Sequence, residues 1–409
     1  MATHDFEQII EKACTDREIP GAVLLATNRD GSFTYSKAFG KASLREDGEQ
    51  PPMRPETVSK DPASCTKLIT SLATLHLVST HNFTLDDPTL VYTHIPELKS
   101  YSIIQPDGTT KPHESPITLR QLLTHTSGLT YDMMSRHLIA WGQQNNKAPQ
   151  RGGTVLGRHD HPLTFEPGAS WMYGGNLDFA GLFVERVSGV SLSSYVQQHI
   201  CEPLGIKDMA FHLSKRADLK ARLSDISYRD LDSGKVEYKD ERVSYQTPDR
   251  EEVEGCLGGE GLLATPGEYI KVLRAVLNAD ERILPASFVD EFFSPQLTDA
   301  QADALNALLQ LDLPNDAMCG TNKSVRKNWG LGGMLLQADD HAGGRKEGTM
   351  VWGGLPMLAW FVDRKTGLCG LFSTQVLPTG DKKSAELART FENGVYALYE
   401  ESGKKDSSL

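Results

Sequence analysis

Apolar positions along this chain follow two periods, and the period changes with position. Phe6, Ile9, Ile10 and Ala13 repeat at helical spacing, which predicts a helix over residues 6–15. Two strands are expected next, over residues 22–26 and 33–39, parted by the turn Asn28-Arg29-Asp30-Gly31. Leu68, Leu72, Leu75 and Val78 then recur every three or four residues and predict a helix behind Ser64. Over residues 81–205 the pattern breaks into short helices and loops. Thr118 is placed to cap a helix carrying Leu119, Leu122 and Leu123, and a helix over 177–187 would be closed by Gly189. Beyond Gly258-Gly259-Glu260-Gly261 a helix is expected over 266–277. Strands are then expected over 329–336, 349–352, 358–362 and 368–375, before a final amphipathic helix bearing Leu387, Phe391, Val395 and Leu398.

Strands at both ends with helices between them predict an α+β architecture. One antiparallel sheet would be built from residues 1–80 and 206–409, flanked by the terminal helices, with residues 81–205 inserted as a mostly helical subdomain. The groove between sheet and insert is the expected place for a site. The chain has 409 residues, 39% of them hydrophobic, enough for a large core. Its net charge of −12 argues against general affinity for nucleic acid or anionic membrane. No apolar run approaches membrane-spanning length. Six cysteines (Cys14, Cys65, Cys201, Cys256, Cys319, Cys369) lie scattered without C-x-x-C, as expected of reduced cytosolic thiols rather than of disulfides or zinc. With no H-E-x-x-H or comparable ligand cluster, no metal or cofactor is called for. A cytoplasmic monomer is the expectation.

Ser64-Cys65-Thr66-Lys67 carries the candidate chemistry. The apolar ladder behind it places Ser64 in the first helical turn and Lys67 one turn on, over the same face. A serine hydroxyl is a poor nucleophile until a base takes its proton. A lysine can be that base only if its ammonium is destabilised, which burial and the positive end of a helix both favour. S-x-x-K recurs at Ser324 (with Lys327) and Ser402 (with Lys405), but neither copy is followed by an apolar helical ladder.

Two further stretches stand beside this pair. Residues 164–176 read TFEPGASWMYGGN, with Tyr173 after the Pro167-Gly168 turn, and Val351-Trp352-Gly353-Gly354 lies near the other end. Serine, lysine, tyrosine and a glycine-bearing strand, in this order, resemble the serine β-lactamase and penicillin-binding-protein superfamily. Within it the chain resembles the class C-like branch and the family VIII carboxylesterases. The pattern over residues 173–178 and at Gly330-Leu331-Gly332-Gly333 is similar to the fungal lovastatin-type side-chain acyltransferases. The likeness runs over essentially the whole chain, including residues 19–23, 122–129, 203–206 and 259–262.

The resemblance implies a β-lactamase/transpeptidase-like fold and a set of roles. Ser64 would be the nucleophile, with neutral Lys67 or Tyr173 as phenolate for its base. Tyr173 would also serve the leaving group, its phenol drawn towards a lower pKa by the lysine. The backbone N–H groups of Ser64 and Leu355 would form an oxyanion hole. Trp352, Gly353, Gly354 and Asn176 would contact substrate. Tyr131, Met133, Met134 and Trp141, clustered in the insert, are either an adaptable apolar lip over a large substrate or ordinary core. His125 belongs to a turn that resembles a structural turn of the family.

Two departures shape the expected substrate. The usual Y-x-N has Gly175 at its asparagine position, with Asn176 one residue later. The usual K-T-G strand is Trp352-Gly353-Gly354, while a literal Lys365-Thr366-Gly367 falls in a polar turn of hairpin type. Loss of the strand lysine removes a cation for a substrate carboxylate, so neutral, bulky esters are favoured. The expected activity is acyl transfer from a small-molecule ester or thioester, an acyl-carrier thioester included, to an alcohol, with ester hydrolysis. The alternatives are a carboxylesterase using water, a β-lactamase or D-amino-acid peptidase, and a non-catalytic binding protein.

Overall fold

Strands from both ends of the chain share one seven-stranded sheet. The computed structural model describes residues 5–147, 153–240, 243, 246, 252–318 and 320–406; residues 1–4, Cys319 and residues 407–409 lie outside them. The chain begins with α1 (Asp5–Thr15) and the hairpin of β1 (Gly21–Asn28) and β2 (Thr34–Gly40). Four helices that matter for the site's surroundings follow: α2 (Thr66–Thr80), α3 (Leu119–Leu123), α4 (Asn176–Ser188) and α5 (Pro266–Leu277). The remaining strands are β3 (Lys327–Trp329), β4 (Met334–Leu336), β5 (Met350–Gly354), β6 (Leu358–Asp363) and β7 (Leu368–Ser373), and α6 (Lys382–Asp406) closes the chain. The order is β2-β1-β7-β6-β5-β4-β3, with every neighbouring pair antiparallel.

The sheet is covered on both faces, which is why β1 reads as an unbroken apolar run rather than an alternation. Val23 and Leu25 pack with Ile270 of α5, while Leu24 and Ala26 alternate to the other face. Phe6 of α1 lies 5.7 Å from the Tyr35 ring, which lies 6.1 Å from Phe391 of α6, so the terminal helices close over one end of the sheet together.

Local chemistry accounts for several element ends. The Thr118 side chain accepts from the Gln121 N–H in a reciprocal capping box, and Gly189 closes α4 with a φ of 73°. The Lys365-Thr366-Gly367 triplet is the turn between β6 and β7: Thr366 N–H donates to Asp363 Oδ1 at 2.9 Å, and exposed Lys365 pairs with Glu347 at 2.9 Å. The single strand expected over 329–336 is two strands, β3 and β4, joined by a tight turn in which Gly330 N–H donates to the Gly333 carbonyl at 2.8 Å. Phe292 enforces the break, since a Cβ on Gly332 would stand 2.2 Å from its ring. A short hairpin, Ser102–Ile104 with Thr110–Pro112, lies within the stretch expected to be mostly helices and loops.

Candidate active site

Ser64 does not sit in the first turn of α2. It occupies a separate 3-10 turn, Ala63–Cys65, immediately before that helix. Ala63 holds a φ of 41°, a left-handed conformation that costs an L-residue about 1–2 kcal/mol. The turn is held from behind: Thr66 donates its hydroxyl to the Ala63 carbonyl at 2.6 Å, and Leu68, Leu72, Leu75 and Val78 are fully buried. From the other side β5 presses its glycine against it. A Cβ on Gly354 would stand 2.0 Å from the Pro62 carbonyl oxygen and 3.1 Å from Ser64 N. Gly354→Ala must therefore move either the strand or the turn. We expect kcat/KM for an activated ester to fall by about 100-fold, a loss of the size that follows a small misplacement of reacting groups. Unchanged kinetics would contradict this packing.

Lys67 lies one turn beyond Ser64 and is 3% exposed. Its Nζ is 3.0 Å from Ser64 Oγ, 3.2 Å from the Tyr131 hydroxyl and 2.7 Å from the Gly259 carbonyl oxygen. Burial pulls its pKa down to about 8, against the opposing pull of the Asp178 and Glu260 carboxylates. Tyr173 donates its hydroxyl to Ser64 Oγ at 2.5 Å. Here the structure corrects an expectation. Burial raises the Tyr173 pKa, so this residue is held as a phenol rather than drawn towards phenolate by the lysine. The Trp352 indole N–H lies close enough to pull against that shift, without the alignment of a full hydrogen bond.

Tyr131 takes a more specific place than an apolar lip. It touches Lys67 directly, its ring stands 5.6 Å from that of Tyr173 edge-on, and burial holds it protonated. Met133 and Met134, which follow it, are exposed, and Trp141 is half-buried. Trp352 is buried, with its ring 5.1 Å from Tyr173 and 4.6 Å from Trp329. Gly353 pairs with Ala359 in the sheet, and Leu355 follows β5 with 37% exposure. Neither the Ser64 N–H nor the Leu355 N–H is taken up by a backbone carbonyl among the described residues.

Asn176 is corrected by its surroundings. It is fully buried at the start of α4; its Oδ1 accepts from Ser127 Oγ at 2.5 Å and its Nδ2 donates to the Leu129 carbonyl at 2.9 Å. It holds the 127–129 turn instead of a substrate. His125 is also buried, with a φ of 60° and its ring 4.7 Å from that of Tyr173. Burial and the nearby Lys67 keep it neutral, and it makes no hydrogen bond to Ser64. The rival pair at 324 and 327 does not form, because Ser324 bonds Asn322 Oδ1 at 2.8 Å while buried Lys327 donates to the Asn322 carbonyl.

Behind Lys67 lies a cluster that the sequence pattern did not single out. Asp178, fully buried, accepts from His159 Nε2 at 2.8 Å and from the Gly259 N–H at 2.8 Å, and Arg158 pairs with Glu260. The two glycines after Tyr173 make room for it. A Cβ on Gly175 would stand 2.2 Å from the His159 ring, and one on Gly174 1.9 Å from the Leu129 carbonyl oxygen. The imidazole thus fills the space that an asparagine at 175 would need. Two clefts of about 730 and 740 Å³ open elsewhere, and neither is lined by Ser64, Lys67 or Tyr173. Among the described residues no group of three or more His, Cys, Asp or Glu side chains is placed to hold a metal ion.

The chain as a whole has known counterparts. A family model described as Beta-lactamase matches residues 6–392. Monacolin J acid methylbutanoyltransferase of Aspergillus terreus is 35% identical over 404 residues, covering 97% of this chain and 96% of that protein. Lovastatin esterase of Penicillium rubens is 35% identical over 392 residues, covering 93% and 95%. A mutant of simvastatin synthase from Aspergillus terreus superposes with a TM-score of 0.87 at 34% identity, covering 97% of each chain.

Proposed function

The chain belongs to the beta-lactamase family as an enzyme of acyl transfer and ester cleavage, and from that premise we propose that Ser64 takes an acyl group from a small-molecule ester or thioester and hands it to an alcohol. The observation that carries the mechanism is the set of three contacts around Lys67 Nζ. A neutral amine has two N–H groups and one lone pair. The Gly259 carbonyl and the Tyr131 oxygen accept the two N–H groups, which leaves the lone pair facing Ser64 Oγ. Tyr173 already donates to that oxygen, so the serine's own proton is directed at Lys67.

The steps follow from this order. Ser64 Oγ attacks the acyl carbonyl as its proton passes to Lys67. The backbone N–H groups of Ser64 and Leu355 take the developing oxyanion. Tyr173 gives its proton to the departing alkoxide or thiolate and recovers one from Lys67, leaving an ester on Ser64 and the amine neutral again. The acceptor alcohol then enters by the reverse path. Because Lys67 must be neutral, kcat/KM should rise with pH and level off above about 8. A rate independent of pH across that value would remove the lysine from the role of base.

The groove for these steps lies, in this reading, between the sheet subdomain of residues 1–80 and 206–409 and the insert of residues 81–205. Trp352-Gly353-Gly354 in place of a lysine-bearing strand supports neutral esters as substrates. An acyl-carrier thioester is among the donors this mechanism accepts. Among the described residues Cys14, Cys201, Cys256 and Cys369 form no disulfide, which supports a cytoplasmic setting, with the chain acting as a monomer. Among the described residues no helix is long and apolar enough to cross a membrane.

Transfer and hydrolysis use the same groups, so the pocket alone decides between alcohol and water. The relative named an esterase favours the second reading, in which water is the main acceptor. A thioester donor offered with increasing alcohol separates them. Transfer is expected to divert product from free acid to the new ester. Free acid alone at every alcohol concentration would leave only the hydrolase.

A further inference from the structure

The buried cluster behind Lys67 is assembled from three distant parts of the chain. Asp178 uses both carboxylate oxygens: Oδ2 faces His159 Nε2 at 2.8 Å, and Oδ1 accepts from the Gly259 N–H at 2.8 Å. The Gly259 carbonyl in turn accepts from Lys67 Nζ at 2.7 Å. A carboxylate offers only acceptors, so His159 presents its Nε2 proton to Asp178. Space is reserved for this contact. Gly175 could not carry a Cβ without striking the imidazole, and a Cβ on Gly259 would stand 3.1 Å from both Asp178 oxygens.

We infer that His159 and Asp178 are a positioning pair for Lys67: the histidine fixes the carboxylate, the carboxylate fixes Gly259, and Gly259 aims the amine at Ser64. This rests on Ser64 and Lys67 being nucleophile and base, and it adds a requirement that neither residue supplies. The charged and titratable groups facing Lys67 are Asp178, Glu260, Arg158, Cys65, Tyr131, Tyr173 and His125. Asp178 is the foremost of those that favour the ammonium. It keeps burial from making the amine too weak a base, since a useful base titrates near the working pH. Asp178 and His159 meet no reacting atom in this scheme and act only through Lys67.

The test compares Asp178→Asn, His159→Leu and His159→Gln with the wild type on a p-nitrophenyl ester, from acid to alkaline pH. Asparagine removes the charge; its oxygen can still accept from the Gly259 N–H, and its Nδ2 can donate to His159 Nε2 once the imidazole carries its proton on Nδ1. The acid limb of kcat/KM should therefore move down by about one pH unit, with KM little changed. His159→Leu removes the donor and should lower kcat about 10-fold or more, in the range found when support behind a reacting group is lost. His159→Gln restores a donor and should recover most of that loss. An unmoved acid limb in Asp178→Asn would overturn the proposal. So would equal behaviour of the two His159 variants, whether both active or both inactive, because bulk rather than a donated proton would then be what matters. Should Asp178→Asn not fold, the His159 pair decides alone. A wild-type enzyme that never acylates Ser64 would instead refute the mechanism on which the pair depends.

Discussion

Ser64→Ala is expected to lower kcat for an activated ester by about 10,000-fold or more, the loss typical when a nucleophile is removed from a unit whose members act together. The variant keeps the backbone N–H groups proposed for the oxyanion, so weak residual turnover over water is expected. What it loses is the covalent step, and with it any burst of released alcohol or thiol in the first turnover. The fold should tolerate the change. Ser64 is only half-buried, and the structural debt is one buried Tyr173 hydroxyl left without its acceptor, worth about 1–3 kcal/mol. Stopped-flow release of p-nitrophenol, with a melting curve alongside, checks both halves. A variant that retained kcat within tenfold of wild type would show that the acyl group never rests on this residue.

Lys67→Met should also lose most turnover, yet be no less stable. A lysine buried at this site titrates at about 8 rather than 10.5. Its folded pKa lies below its unfolded one, so between those values the unfolded chain binds more protons and stability rises with pH. Below about 8 the full penalty is present, roughly 3 kcal/mol. Methionine has a similar length and no charge to desolvate. It does strand the Gly259 carbonyl, at about 1–3 kcal/mol, so the two effects oppose. We expect Tm near neutral pH to be held or raised, the rise of stability between about 8 and 10.5 to disappear, and turnover to fall by about 1,000-fold or more. Thermal unfolding at neutral and alkaline pH, with kcat measured on the same samples, checks this. A large fall in Tm would mean that Lys67 is held for the fold and not for the chemistry.

The residues most legible in the sequence were those whose role is local. The ladder of Leu68, Leu72, Leu75 and Val78 marked α2 and the serine before it, and Thr118 and Gly189 marked helix ends, because caps and periods are written in neighbouring residues. Ser64 itself was placed one element late, since the left-handed Ala63 that opens its turn answers to packing against β5 rather than to its own propensity. The break between β3 and β4 has the same origin in Phe292, a residue some forty positions away. Asn176 was expected against substrate although it stands one residue past the motif's asparagine position; its partners, Ser127 and the Leu129 carbonyl, lie some fifty residues away and leave no local trace. His159, Asp178 and Gly259 come together only in three dimensions and carry no period or spacing that announces them. Their one trace was negative: a pair of glycines after Tyr173 where the family pattern has a side chain.

The most direct test of the account is intact-protein mass spectrometry of the enzyme quenched in acid after brief mixing with a thioester donor and no alcohol. The expected result is a gain of one acyl group, located by proteolysis on the peptide bearing Ser64 and discharged when an acceptor alcohol is added before the quench. An acyl group found on any other side chain, or the same gain in Ser64→Ala, would contradict the proposal that the hydroxyl between Lys67 and Tyr173 carries the acyl group.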